Sequence, residues 1–193
     1  MATIGLDKLY FAIINQDGNG IESYNTPELL AKAISAEISV ELNEAILYAD
    51  DGQAESVKEF KSGTISLNID DLKPEKVAAL LGADVDEHGV LISRGEDVPN
   101  YVALGFRARK ANGLYRYFWL YRVQFSTPGL SLATKGDSIT FSTPTLEGTI
   151  FQRNKVDSRG KHPWKAEYTE DGESTAITSA WYTTVYEPDY PVI

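Results

Sequence analysis

The sequence predicts a mainly β, β-rich α+β fold: an antiparallel β-sandwich or barrel with one short helix, in a single domain of residues 1–193. Several runs alternate apolar and polar residues with period two, which is typical of strands with one buried face. An Asn-Gly pair joins two long β-prone runs, which is the strongest short signal for a hairpin. Only one longer segment combines helix-stop chemistry with apolar residues at helical spacing.

The first elements are a hairpin and a connector. Residues 9–14 are apolar and β-prone, residues 15–20 supply turn residues, and residues 21–24 form the return strand. Thr26 followed by Pro27 looks like a helix N-cap with proline at the first position. We therefore expect one or two helical turns before residue 33.

Two acidic strands follow, at residues 34–43 and 64–70, and both alternate strictly. Residues 36–87 hold 13 Asp/Glu and 4 Lys, a net charge of −9, whereas the whole chain carries −10. One face of this strand pair is apolar and the other is a wet face of small polar and acidic groups. The candidate site residues on the wet face are Glu37, Ser39, Glu41, Asn43, Thr64, Ser66, Asn68 and Asp70.

The connection between these strands, residues 45–63, contains Asp50-Asp51-Gly52 and is mixed in charge. We expect a long loop here, and a loop of this length in a compact domain is usually either functional or disordered. After the second strand, residues 71–82 predict a short helix that ends at Gly82. Val77, Leu80 and Leu81 have helical spacing and are expected to pack on a sheet.

Residues 101–111 and 114–126 predict a central hairpin around Asn112-Gly113. Strict alternation in its second arm would place Tyr115, Tyr117, Trp119, Tyr121, Val123 and Phe125 on one face. Since the other face is also partly apolar, we expect contact on both sides. Residues 138–142 and 146–153 predict a further strand pair, residues 181–186 a last strand, and residues 187–193 an extended, proline-rich arm.

Composition excludes several classes of function. The chain has no cysteine, so disulfides and thiolate chemistry are excluded, and it has no apolar run long enough to span a membrane. It also lacks an N-terminal secretory signal, so we expect folding in a cytoplasm. A pI near 4.7 disfavours sequence-independent binding to phosphates.

No catalytic residue, metal site or cofactor is predicted. Residues 15–20 resemble the start of a calcium loop, but the twelfth position is Thr26 where a bidentate glutamate is required. His88 and His162 lie outside any nucleophile motif. Two alternatives remain. The first is that Glu37, Glu41 and Asp70 include a glycosidase-like acid pair. The stripe from Tyr115 to Tyr121 could be the sugar platform of a β-sandwich carbohydrate-binding or surface adhesion module.

Several strings resemble the major tail protein family of long-tailed phages of Gram-positive hosts. They are Leu-Tyr-Ala-Asp-Asp-Gly at 47–52, the run at 58–72, Val-Ala-Ala-Leu-Leu-Gly at 77–82, and the segments at 4–10 and 116–123. The resemblance implies a structural protein without enzymatic activity. Its subunits would form rings, typically hexameric, that stack into the tail tube through which the genome leaves.

The resemblance also implies roles for particular residues. The acidic face would line the channel, so that DNA slides past without specific binding. Residues 45–63, with Asp50, Asp51, Lys58 and Lys61, would be an inter-ring loop, and residues 187–193 an arm gripping a neighbouring subunit. The expected partners are further copies, tail tip or initiator, tape-measure and tail terminator proteins, and the expected location is the virion tail.

Overall fold

The computed structural model describes residues 2–16, 21–49, 52–129, 142–172 and 175–190, and the side chains of all of these except 46–49, 52–55 and 175. The chain is mainly β, with 53% strand and 8% helix, as the sequence predicts. The strands are β1 (Thr3–Gln16), β2 (Glu22–Tyr24), β3 (Glu28–Ala31), β4 (Ala33–Ala49), β5 (Gly52–Ile69), β6 (Asp84–Val85), β7 (Leu91–Ile92), β8 (Tyr101–Lys110), β9 (Tyr115–Phe125), β10 (Thr145–Phe151) and β11 (Lys165–Thr169). The helices are α1 (Pro74–Leu81) and α2 (Thr175–Ala180).

One antiparallel sheet runs in the order β2-β1-β8-β9-β10-β5-β4, with β11 added to β9 and β3 added to β1. Tyr10 and Phe11 pair with β3 on one edge of β1 and with β8 on the other. Because β3 leads directly into β4, the sheet curls back toward its first strand and surrounds a core, in the manner of a barrel. The outer edge of β4 pairs with no other described strand.

The core lies on the inner side of this sheet and is built from the apolar positions of the alternating strands. Its fully buried members include Leu9, Ile65, Leu67, Leu104, Leu120 and Ile150. Helix α1 adds Leu80 and Leu81, and Val77 packs against the same cluster, as the helical spacing predicts. The helix ends at Gly82, whose positive φ of 68° and N–H bond to the carbonyl of Ala78 form the expected glycine stop.

A second, aromatic cluster lies on the outer side of β1, β8 and β9. The C-terminal residues Trp181 and Val185 cover it, and Tyr182 packs beside them. The indole N–H of Trp119 donates to the carbonyl oxygen of Trp181 at 3.0 Å. The hairpin of β8 and β9 therefore makes contact on both sides, as expected.

The strict alternation predicted for β9 is interrupted by a β-bulge. Val102 lies opposite Val123, whereas Leu104 lies opposite Leu120, so β9 has one extra residue between these pairs. A bulge moves the following residues to the opposite face. Trp119 therefore belongs to the aromatic cluster, while Val123 and Phe125 point into the core.

The hairpins around residues 17–20 and Asn112-Gly113 are confirmed by the pairing of β1 with β2 and of β8 with β9. Three other expectations are wrong. The described residues of the segment 45–63 are strand instead of loop: β4 continues to Ala49 and β5 begins at Gly52, so these two parts form the outer end of one long hairpin. Residues 28–31 form β3 instead of a helical turn. Residues 181–186 are irregular and follow a second helix, α2, rather than forming a strand.

The predicted pairing of residues 138–142 with 146–153 involves residues that lie largely outside those described. The later segment forms β10, which pairs with β5 and β9. Neither helix in the described ranges is both long and apolar enough to cross a membrane.

Candidate functional site: the polar face of β4, β5 and β10

The predicted wet face exists and is three strands wide. Glu37 on β4 lies opposite Ser66 on β5, and Ser66 lies opposite Glu147 on β10. A parallel row is formed by Ser39, Thr64 and Thr149. Since side chains alternate across a strand, all of these residues share the side of the sheet that faces away from the core.

Burial follows the same alternation. On β5, Ile65, Leu67 and Ile69 are buried, whereas Thr64 is exposed. On β4 the polar residues Glu37, Ser39, Glu41 and Asn43 are all exposed. The alternating pattern thus places the predicted polar residues on the side of the sheet away from the core, where Ser66 and Asn68 are half-buried and the others on these two strands are exposed.

Sequence reasoning missed the third strand of this face. Thr145, Glu147 and Thr149 alternate with the buried Leu146 and Ile150, and Gly148 lies between them. The run Thr-Leu-Glu-Gly-Thr-Ile carries the same period-two signal as the acidic strands. Reading that alternation for polarity as well as for strand formation would have added Glu147 and Thr149 to the site.

The face forms a shallow concave surface of about 340 Å³ between the three strands. Its lining includes the carboxylates of Glu37 and Glu147 and the hydroxyl groups of Ser39, Thr64, Ser66, Ser126 and Thr149. Within the described part of the chain, no Lys or Arg lies within ion-pair distance of Glu37 or Glu147. The middle of the face is therefore acidic and hydroxyl-rich, and no cation offsets its two carboxylates.

The outer part of the face is partly neutralised. Lys61 lies 3.3 Å from Glu41, whose carboxylate also accepts a bond from Ser62. Lys58 lies 3.1 Å from Glu44 across the same hairpin. The two lysines predicted to contact another subunit thus pair with carboxylates of their own hairpin. These pairs are solvent-exposed, so each contributes little to stability. Asp50 and Asp51 lie outside the described residues.

Two further predicted residues lie at the margins. Asn43 is exposed opposite Glu59, beyond the third strand. Asp70 follows the end of β5, and its carboxylate accepts the backbone N–H groups of Lys32 at 3.0 Å and Asp71 at 2.8 Å. Asp70 therefore fixes the junction between β3 and β4 rather than continuing the row of free carboxylates.

Glu37 lies too far from both Glu41 and Asp70 to form a glycosidase-like acid pair with either of them. Glu37 and Glu41 are four residues apart on one strand, which corresponds to about 13 Å. Glycosidase carboxyl groups are about 5–9.5 Å apart. Asp70 lies about as far along the sheet from Glu37, since Glu37 is opposite Ser66. The acids are spread along the face.

The aromatic stripe is not an open platform. Trp119 and Tyr121 are 0% exposed, and Tyr117 is buried beside Trp181. A sugar platform requires ring faces that are open to solvent. The structure therefore removes the observation that suggested the carbohydrate-binding alternative.

The start of the predicted C-terminal arm binds its own subunit. Glu187 accepts hydrogen bonds from Arg153 at 2.8 Å and Lys155 at 3.0 Å, and the carbonyl of Tyr186 accepts one from the hydroxyl of Tyr121. Arg153 is fully buried. Burial raises the pKa of Tyr121, against the opposing effect of the Arg153 charge. The start of the arm is thus anchored at Glu187 to residues that follow β10, and residues 191–193 lie outside those described.

Among the described residues, no group of three or more His, Cys, Asp or Glu side chains could hold a metal ion. A scan of the sequence against known protein families finds no match, and a search of curated proteins finds no significant match. The polar face must therefore be interpreted from its own chemistry.

Proposed function

We propose that this chain is a structural virion protein that self-assembles into stacked, hexameric rings and forms the tail tube of a phage. The observation that carries the proposal is the exposed polar face of β4, β5 and β10, where Glu37, Ser66 and Glu147 form one row. In the assembled tube this face lines the conduit through which the genome leaves.

The chemistry of the face suits a conduit better than a binding site. DNA carries a dense row of phosphates, and proteins hold it with Lys and Arg. At physiological ionic strength, charges act over about 8 Å, so carboxylates on the wall repel phosphates that approach within that distance. The hydroxyl groups beside them hold water without adding positive charge. DNA can then slide past without adhering.

The edges of the sheet support assembly between copies. β4 is a long strand whose outer edge pairs with no other described strand, and such edges readily pair with another chain. On its apolar side, Val40 and Leu42 are 41% and 55% exposed. A ring in which neighbouring sheets join would cover both the free edge and these side chains.

The proposal places the protein in the virion tail, without enzymatic activity or a cofactor. Its partners are other copies of the same chain, together with the proteins that initiate, measure and terminate the tube. The long hairpin of β4 and β5 takes the role of the inter-ring segment, because its outer part extends beyond residues 63–68 of β5, the part that pairs with β10.

Negative-stain electron microscopy of the purified chain across a concentration series, with light-scattering mass, tests the assembly. We expect hollow rings and tubes with a central channel. Particles of monomer mass at every concentration, with no rings on the grids, would contradict the proposal.

The channel assignment is tested with the double variant Glu37→Lys/Glu147→Lys. We expect tubes of normal width that retain linear double-stranded DNA in a pelleting assay at low salt and release it as salt rises. The matched control is Glu75→Lys/Asp189→Lys, which makes the same charge change at exposed positions away from the face. Equal DNA retention by both variants would place the binding on the outside of the tube and reject this lining.

A further inference from the structure

Strand β8 connects two regions of the subunit that differ in charge. The segment before it, residues 82–98, holds five Asp/Glu and one Arg, whereas the β8–β9 hairpin, residues 101–125, holds five Lys/Arg and no Asp/Glu. β8 has ten residues, so its two ends lie about 30 Å apart. The acidic segment and the turn of the basic hairpin are therefore at opposite ends of the subunit.

The acidic end presents an unpartnered sheet face. In the small β6–β7 hairpin, Leu91 lines the cavity beside α1, so its neighbours Val90 and Ile92 point outward and are 52% and 39% exposed. A two-stranded hairpin of this size has little stability alone. Around it, Glu87 and Glu96 are exposed and form no ion pair within the described residues. The face is thus apolar at its centre and negative at its rim.

The opposite end has the complementary character. Ile4 on β1 is 65% exposed, and Thr3 and Gly5 on either side of it pair with Lys110 and Arg109 of β8. Arg109 is exposed and, like Lys110, forms no ion pair within the described chain.

Carboxylates near this end are already engaged. Asp7 accepts two bonds from Arg107, Glu167 pairs with Arg116, and Glu170 accepts the backbone N–H of Tyr115. Arg109 and Lys110 are therefore available to a partner.

We infer that the β6–β7 face of one copy receives the Ile4, Arg109 and Lys110 end of a second copy. Ile4 covers the apolar centre, and the two cations approach Glu87 and Glu96 at the rim. Such a contact joins two different surfaces, so it repeats head to tail instead of closing on itself as a twofold dimer. Head-to-head contact would oppose like charges, so charge sets the direction of stacking.

The inference rests on the proposed function and names the surfaces that meet between successive rings. It predicts that stacking depends on salt, whereas ring closure through the strand edges does not. Since one exposed ion pair contributes little, the effect comes from repetition of the contact around each ring.

The test compares Arg109→Glu, Glu96→Arg and the combined variant with Lys161→Glu as a matched control. Lys161 is also exposed and without an ion pair among the described residues, so this control makes the same charge change as Arg109→Glu. The readouts are light-scattering mass and tube length on negative-stain grids at 50 mM and 500 mM salt.

We expect each reversed variant to form single rings with at least a tenfold lower fraction of protein in tubes. The combined variant should recover tubes, because each end then meets its new complement, and Lys161→Glu should resemble the wild type. Tubes of normal length from Arg109→Glu would overturn the inference and leave the proposed function standing. If the wild-type protein forms neither rings nor tubes, the proposed function itself is rejected.

Discussion

At Gly105, one added methyl group should overpack the contact between β8 and the aromatic cluster. It lies on β8 opposite Trp119, and an ideal Cβ at this position would be 2.8 Å from Cη2 and Cζ3 of the indole ring and 2.9 Å from Cε3. Carbon atoms in ordinary contact are about 3.5–4.0 Å apart. Gly105→Ala therefore requires Trp119 to move by several tenths of an ångström.

Trp119 has little room to move. It is 0% exposed, and its indole N–H is held by the carbonyl of Trp181 at 3.0 Å. Overpacking of this kind costs about 1–3 kcal/mol. In a domain of this size each kcal/mol corresponds to about 2–4 °C in melting temperature. We therefore expect Gly105→Ala to lower the melting temperature by about 2–12 °C.

Differential scanning calorimetry or circular dichroism measures the shift. The matched control is Gly95→Ala, where a Cβ would meet nothing within 4 Å and the backbone needs no positive φ. The control should melt within about 1 °C of the wild type. If Gly105→Ala also does so, the close contact between β8 and the indole ring does not constrain the fold as argued.

Two further predictions concern the buried charge and the buried phenols. Glu187→Ala should lower the free energy of unfolding by about 2–4 kcal/mol in urea titrations, because it leaves the buried Arg153 without its carboxylate, whereas the exposed Asp189→Ala should change it little; an equal effect of both would contradict the pairing. Burial raises the pKa of Tyr24 and Tyr182 above the unfolded value of 10.0. Their contribution to the free energy of unfolding is therefore complete below pH 10 and is lost as the pH rises toward their folded pKa. The loss is about 1.4 kcal/mol per pH unit for each tyrosine. Urea unfolding between pH 9 and pH 11.5 should show this slope, reduced in Tyr24→Phe; phenolate absorbance appearing at pH 10 in the folded protein would argue against it.

The sequence predicts those elements that short-range chemistry determines. Asn112-Gly113 specifies a tight turn, and Gly82 supplies the left-handed conformation that ends α1. On β4 and β5, strict alternation places Glu37 and Ser66 on the solvent side because one face of each strand must be buried. In these cases a few neighbouring residues contain the whole physical reason.

The errors arise where a distant partner decides. The outer part of the β4–β5 hairpin is mixed in charge and contains Asp50-Asp51-Gly52, so its pattern resembles a loop, yet the two strands pair to residue 49. Residues 28–31 become a strand because β1 offers a free edge, which overrides the helix-start signal at Thr26 and Pro27. The bulge in β9 depends on its register with β8, and local alternation cannot reveal it.

The candidate site was only partly predictable for the same reason. Glu37, Ser39, Thr64 and Ser66 follow from their own strands. Glu147 joins them because β10 pairs with β5, and that neighbour relation spans about eighty residues of sequence. The role of Asp70 as an acceptor for Lys32 likewise depends on how β3 approaches the end of β5.

The pairing of β1 with β8 also determines when the subunit can fold during synthesis. Asp7 and its partner Arg107 are 100 residues apart in sequence, so β1 has no lasting partner on that edge until most of the chain exists. At roughly 5–20 residues per second, the wait is about 5–20 s. During it, Leu9 and Phe11 lack their core neighbours, while the β4–β5 hairpin can already form from local contacts. The barrel is therefore expected to close late, so that a nascent chain offers a free hairpin before it offers a finished subunit.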